Sequence, residues 1–278
     1  MKIFETKLEL LSYLSSNRGG NTIGFTPTMG SLHNGHLHLI EESKRTCDIT
    51  ICSIFVNPTQ FNNDDDLVNY PRTLDVDLQK LRKLNCDGVY TPIISDLYEE
   101  GEKAKEFDFG TLANIMEGKF RSGHFNGMAT IVKKLFRIIK PNKAFFGKKD
   151  LQQLQIVKAL VKQTGSEIEI VGINTVREES GLAKSSRNKL LSEKSKKEAT
   201  LIYESLQYCI DQQSRGVDSL KKYIETQFEN HSNFELEYVE FVALENMLPI
   251  TNWKGKGKNA ICIAAYIDDV RLIDNIIL

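Results

Sequence analysis

The chain of 278 residues is poor in the features that usually declare a class. Its five cysteines, Cys47, Cys52, Cys86, Cys209 and Cys262, are odd in number and contain no CxxC pair. That argues against a disulfide framework or a cysteine zinc site, and for buried thiols in a reducing compartment. No apolar run approaches a membrane span, and the charged, amphipathic start MKIFETKLELLSYL lacks the uninterrupted apolar core of a signal peptide. A cytoplasmic location is expected. Net charge is only −1, so no global field draws the chain to nucleic acid or membrane. HExxH, Walker A, internal repeats and low-complexity linkers are also missing. What remains is a 41% hydrophobic composition, enough to bury a full core at a length suited to two domains.

What is present is organised around Thr22–Ile40, TIGFTPTMGSLHNGHLHLI. An apolar run ending at Phe25 reads as a buried strand. Pro27 and Gly30 break it, and an apolar-periodic helix is expected from about Gly35. His33 and His36 straddle that junction three residues apart, so they share a helix face while His38 points elsewhere. A helix start presents free N–H groups and partial positive charge, which suit an anionic phosphate. Two imidazoles beside such a cradle can donate hydrogen bonds to a phosphoryl group as its charge rises. Two plainer readings stand beside this one: a metal site using His33, His36 and one carboxylate, and histidines that are only polar framework.

In chain order, Lys2–Glu5 is expected as a strand and Lys7–Ser16 as a helix. Ile49–Val56 is nearly all apolar, the pattern of a parallel strand covered on both faces. Pro58 ends it. Ligands of open parallel sheets lie outside the carboxyl ends of strands, so Asn57 and Gln60 hang over the expected crevice. Asn62–Asp66 reads as a polar loop, followed by a helix ending near Asn85, a strand at Gly88–Thr91 and a surface loop at Glu99–Glu106. Glu117–Gly127 packs three glycines and His124 into a non-periodic run, as readily a functional lip as a connector, before a helix at Met128–Ile139. After a strand at Lys143–Phe146, the segment Gly147-Lys148-Lys149-Asp150 opens a helix running through Lys162. Lysine there offers a point charge for phosphate, and Asp150 a helix cap or a metal ligand. Glu167–Val176 makes one or two further strands. The basic, hydroxyl-rich turn Gly181–Asn188 suits gripping phosphate oxygens, its plainer reading being a helix cap. Two amphipathic helices (about 193–213 and 217–230) and strands at about 236–244, 260–267 and the C-terminus follow, with a solvated turn at Lys254–Lys258. The expected division is residues 1–178, an α/β nucleotide- and substrate-binding domain, and 179–278, a smaller α+β domain.

Three strand-end loops thus carry phosphate-binding chemistry: His33/His36, Lys149/Asp150 and Ser185/Ser186/Arg187. With PTMGSLHNGH (27–36), FVNPTQF (55–61), YPRT (70–73), EGKFRSGHFNGMATIV (117–132), FFGKKDLQQL (145–154) and GLAKSSRN (181–188), the sequence closely resembles the pantothenate synthetase (pantoate–β-alanine ligase) family. PTMGxLHxGH alone would indicate only the wider HIGH-type nucleotidyltransferases. The resemblance implies a Rossmann-like parallel sheet with a C-terminal α+β lid domain, usually in a homodimer. It implies ATP-driven joining of pantoate and β-alanine through a pantoyl-adenylate, with Mg2+, releasing AMP and pyrophosphate. On its pattern ATP lies along Met29, Gly30, Ser31, Leu32, His33, Asn34, Gly35 and His36. It continues past Gly147, Lys148, Lys149 and Asp150, then Val176, Lys184, Ser185, Ser186 and Arg187. His36 is the proton donor of that pattern, helped by His33 and Lys149. Gln60 and Gln153 hold pantoate, with Asn57 beside them, and Asp150 is the candidate contact for Mg2+. Neither nucleic acid nor membrane is an expected partner.

The chain departs from the pattern at Ser122, where proline is usual, at Lys148, where glutamate is common, and at Lys184, where an apolar residue is common. The runner-up is a nucleotidyltransferase that keeps AMP on its product, but such an enzyme would want basic residues rather than two glutamines facing its acceptor. A nucleotide sensor or nucleic-acid module is disfavoured by the neutral charge and the lack of an aromatic-basic stripe.

Overall fold

The computed structural model describes residues 1–61 and 67–278, so the expected loop at Asn62–Asp66 lies outside the described residues. Strands β1 (Lys2–Phe4), β2 (Ile23–Thr28), β3 (Ile49–Ile54), β4 (Gly88–Tyr90), β5 (Lys143–Gly147) and β6 (Glu169–Ile173) form a parallel sheet in the order β1-β4-β3-β2-β5-β6. Helices α1 (Lys7–Asn17), α4 (His124–Ile139) and α5 (Leu151–Gln163) pack on one face. On the other lie α2 (Asn34–Thr46) and α3 (Leu74–Lys83). Both faces are therefore covered, which is why the residues of β2 and β3 are buried almost without alternation. This is the Rossmann-like arrangement. The chain winds outward through β3 and β4 on one side of β2 and through β5 and β6 on the other. The strand order therefore reverses between β2 and β5, where such sheets bind ligands.

One expectation about β2 is corrected. The strand does not stop before Pro27 but runs through it to Thr28, pairing Pro27 with Ser53 of β3. Proline lacks a ladder donor, and pairing between β2 and β5 extends only to Phe25↔Ala144. Pro27 thus sits beyond the last rung, where β2 and β5 part and a crevice opens.

A separate antiparallel sheet, β7 (Phe234–Ala243), β8 (Asn259–Ile267) and β9 (Val270–Ile277), is ordered β7-β8-β9. Helices α6 (Thr200–Asp211) and α7 (Val217–Glu229) cover one face. Alternation in β8 divides the side chains. Ile261, Ile263, Ala265 and Ile267 point into this small core, whereas Ala260 and Cys262 join the core of the parallel sheet. The helix expected over about 193–213 is divided at Ala199 into Glu193–Glu198 and α6. The 117–127 run is not a plain loop. It holds a short helix, Glu117–Phe120, and α4 begins at His124 rather than Met128. The glycines differ in role: Gly123 breaks the chain at φ +78, whereas Gly127 lies within the helix and is glycine because a Cβ there would fall 1.8 Å from the Thr59 carbonyl oxygen. Among the described residues no helix is long and apolar enough to cross a membrane.

Candidate active site

The loop after β2 turns on two left-handed residues, Gly30 (φ +85) and Ser31 (φ +50). For serine that backbone is costly, so something must hold it. The holder is Asp77 of α3, fully buried, whose carboxylate accepts from the Ser31 and Leu32 amides at 2.8 Å each and from the Thr73 hydroxyl at 3.1 Å. Lys80, one turn on, donates to the Leu32 carbonyl. From this anchored corner the chain enters α2 with His33 as its N-cap and His36 in the first turn.

The two imidazoles replace the side chains of an ordinary capping box. The Gly35 amide donates to His33 Nδ1 at 3.1 Å, and the His33 amide donates to His36 Nδ1 at 3.3 Å. The rings lie 4.1 Å apart. Gly35 is required, since a Cβ would fall 2.9 Å from the His33 ring. Burial, with mutual repulsion and that of Lys149, lowers the His33 pKa to about 3. Burial likewise lowers His36 to about 4 against the opposing pull of Asp150 and Asp77. Both rings are therefore neutral at pH 7. With each Nδ1 accepting a backbone proton, the ring proton sits on Nε2, leaving two uncharged N–H donors.

Two further loops meet them. Gly147 closes β5, and Lys148–Asp150 form a single tight turn leading into α5. Asp150 stands at the N-cap position of α5 without making the side-chain capping bond. The third loop is a narrow hairpin in which Arg177 pairs with Ala183 and the Lys184 amide donates to the Val176 carbonyl at 2.9 Å. It delivers Ser185, which caps the turn Ser186–Leu190 by accepting from the Arg187 amide. The Ser186 hydroxyl donates to the Ser31 carbonyl at 3.1 Å, and Lys189 reaches the Ser31 hydroxyl. First and third loops are thereby latched together at Ser31.

Around the switch point these loops enclose a cleft of about 250 Å3. Met29, His33, Gly35 and His36 line it, with Gly147, Lys149, Asp150, Val176, Lys184, Ser185, Ser186 and Arg187. So do Asn57, Gln60 and Gln153, together with an apolar wall that includes Phe55, Val132, Leu135 and Phe146. Of the other residues singled out in the sequence, several lie behind or beside the cleft, and the two added lysines have partners of their own. Gly30, Ser31 and Leu32 form the buried backing of the loop, and Asn34 is exposed. Lys148 is turned to the Asn174 side-chain oxygen at 2.7 Å, and Lys184 stands 3.5 Å from Glu178, which offsets its added charge. His38 faces Glu41 instead of the cleft. Among the described residues no cluster of three His, Cys, Asp or Glu side chains is placed to hold a metal ion.

A sequence model of the family described as pantoate-beta-alanine ligase matches residues 2–277. The chain belongs to the pantoate–β-alanine ligase family. Its relatives include the pantothenate synthetase of Christiangramia forsetii, 46% identical with 100% of this chain and 99% of that protein covered. That of Flavobacterium psychrophilum is 43% identical over the full length of both. Among solved structures, pantothenate synthetase from Thermus thermophilus matches with a TM-score of 0.93 at 36% identity, covering 99% of each chain. The pantoate–β-alanine ligase of Francisella tularensis, crystallised in complex with β-γ ATP and β-alanine, gives a TM-score of 0.84 at 39% identity over 100% of this chain and 97% of that one. The match takes in the C-terminal sheet, where the sequence carries no sharp motif.

In this ligase the turn Pro58–Gln60 is held from beneath. Asn57 is buried, donates to the Gly127 carbonyl at 3.2 Å and accepts from the Tyr98 and Thr59 hydroxyls, so its amide is occupied in framing the turn. His124 donates from Nδ1 to the Gln60 carbonyl at 2.9 Å, and Arg121 donates to its Nε2 at 3.1 Å. Of the adjacent glutamines in α5, Gln152 is occupied by backbone groups of Leu112, Ile115 and Glu117, and Gln153 lines the cleft.

Burial, aided by Arg121, lowers His124 from 6.5 to about 4. The unfolded chain takes up a proton near pH 6.5 while the folded chain refuses it down to about pH 4, so stability falls as pH drops through that window. The expected loss is roughly 1 kcal/mol per pH unit for this one group. Urea midpoints at pH 7, 6 and 5 should therefore fall less steeply in His124→Gln than in the parent chain. Equal slopes would show that His124 is protonated in the folded state.

Proposed function

We propose that this cleft activates the carboxylate of pantoate with ATP and passes the acyl group to β-alanine, giving pantothenate, AMP and pyrophosphate. The observation that carries the reading is the meeting of three loops in one cleft, with two neutral Nε2–H donors, Lys149 and the Ser185–Arg187 turn beside two glutamines. A carboxylate alone is a poor acyl donor because its leaving group would be oxide. One pantoate carboxylate oxygen attacks the α-phosphorus, the bond to the bridging oxygen breaks, and pyrophosphate leaves with the electron pair. The free amine of β-alanine then attacks the acyl carbon, the bond to AMP breaks, and the amine gives up a proton.

His33, His36 and Lys149 are assigned to the negative charge that grows at the α-phosphorus and on departing pyrophosphate. Neutral imidazoles suit this task, because they donate without attracting a counter-ion in the resting cleft. Ser185, Ser186 and Arg187 hold the outer phosphates, Val176 borders the base, and Gln60 and Gln153 hold pantoate with its methyl groups against the apolar wall. Mg2+ typically binds one or two carboxylates together with phosphate oxygens. Asp150 supplies such a carboxylate at the cleft, so the residues fit an ion held chiefly by the nucleotide, where it would neutralise phosphate charge.

The test is a product assay with ATP, Mg2+ and pantoate, with and without β-alanine. Sustained AMP and equimolar pyrophosphate are expected only when β-alanine is present. ADP as the nucleotide product, or a stable dinucleotide, would overturn the proposal.

A further inference from the structure

We propose that Asn275, on the final strand, is a positioning residue for Lys149, so that the C-terminal sheet sets the geometry of the adenylation step. Asn275 is 6% exposed and uses both protons of its amide on the tight turn after β5, donating to the Lys148 carbonyl at 2.9 Å and the Lys149 carbonyl at 2.7 Å. Its neighbour Asp274, 4% exposed, accepts the Asn275 amide at 2.8 Å and pairs with both terminal nitrogens of Arg177. Arg177 in turn donates to the Gly181 carbonyl at 3.0 Å and lies over the Tyr203 ring, fixing the hairpin that presents Ser185–Arg187. Two adjacent residues of β9 therefore hold two of the three cleft loops. The turn at Lys148–Asp150 makes no side-chain cap of its own, so the carboxamide from 126 residues away is what fixes its carbonyls. Lysine carries a long flexible side chain, and its charge is only as well placed as the backbone beneath it.

The inference rests on the proposed function, and the experiment separates the two. Pantoate-dependent exchange between ATP and labelled pyrophosphate is measured for the full chain and for Asn275→Ala, each checked by thermal unfolding. Displacing a charge by about 1 Å costs on the order of 10²-fold, so a 10- to 100-fold fall in exchange kcat is expected, with the KM for pantoate within about twofold. In a Lys149→Ala background the same change should lower kcat by less than about threefold, because the group being aimed is gone. Asn259→Ala serves as the comparison. It removes another buried amide of this sheet, one whose side-chain bonds brace the Lys254–Lys258 turn, and it should cost stability without lowering exchange kcat. Should Asn275→Ala not fold, Asn275→Ser keeps one donor and should show about a tenfold loss with the same dependence on Lys149. Parental kcat in folded Asn275→Ala, or an undiminished loss in the Lys149→Ala background, would overturn the inference. Absence of exchange in the parent chain would overturn the functional reading and this inference with it.

Discussion

Replacing His36 by alanine is expected to lower pantoate-dependent ATP–pyrophosphate exchange by about 10²–10³-fold, the usual effect of removing one preorganised donor from a developing anion. The side chain does two things at once. Its Nε2–H is one of the two neutral donors at the cleft, and its Nδ1 accepts the amide of His33, the cap of α2. Alanine removes the donor and loosens the residue carrying the other one. The fold should survive, because the ring borders the cleft rather than the core and Asp77 still holds the preceding corner. His36→Gln, whose terminal amide nitrogen approximates the position of Nε2, should recover part of the lost rate. Both variants should unfold within about 1 kcal/mol of the parent chain in urea. Near-parental exchange by folded His36→Ala would remove this histidine from the chemistry.

A comparably large effect, on stability this time, is expected at Arg271. This β9 residue donates to both oxygens of Glu117, at 2.9 and 2.6 Å, and also to Glu237. Glu117 is 8% exposed and takes a further bond from the Tyr238 hydroxyl. Burial alone pushes the Glu117 carboxyl up, but the Arg271 guanidinium outweighs it and holds the pKa well below the usual carboxylate range. Arg271→Met removes both short bonds to that buried carboxylate and leaves it the more distant Arg121, at 3.6 Å, and the Tyr238 hydroxyl. Breaking a buried pair from one side typically costs about 3–5 kcal/mol, read here as a drop in the urea midpoint at pH 7. Arg271→Met with Glu117→Gln should regain part of the loss, since the Glu117 charge is then gone while Glu237 still lacks its guanidinium partner and keeps the Tyr266 hydroxyl. The pH dependence follows by sign. A carboxyl depressed in the folded state contributes stability that is present above its unfolded value of 4.5 and is lost as pH falls below it. The parent should lose that contribution in acid, and Arg271→Met should have little of it left to lose. A single-variant loss below about 1 kcal/mol would mean the pair is solvated and weak.

The histidine motif is legible in the sequence because its geometry is local. Three residues of helix fix which imidazoles share a face, and a glycine and a proline mark the entry. The covered strands are equally plain, since burial on two faces leaves an apolar run at Ile49–Ile54. Pro27 and the 117–127 glycines were harder. A residue that breaks an isolated element is tolerated where no partner needs its N–H, or where neighbouring backbone leaves no room for a Cβ. Both conditions belong to the surroundings of a residue.

The sequence by itself determined the family, the order of the parallel strands' chemistry and the three loops that carry charge. Each of those signals is contained within a few consecutive residues. Tertiary structure alone decided what holds them: Asp77 reaches across 46 positions to Ser31, Asn275 across 126 to Lys149, and Arg271 across 154 to Glu117. None of these partners has a spacing that marks it, because a hydrogen bond between distant segments depends on where the sheet brings them. An asparagine in a C-terminal strand reads as any other polar residue until two backbone carbonyls are found beneath it.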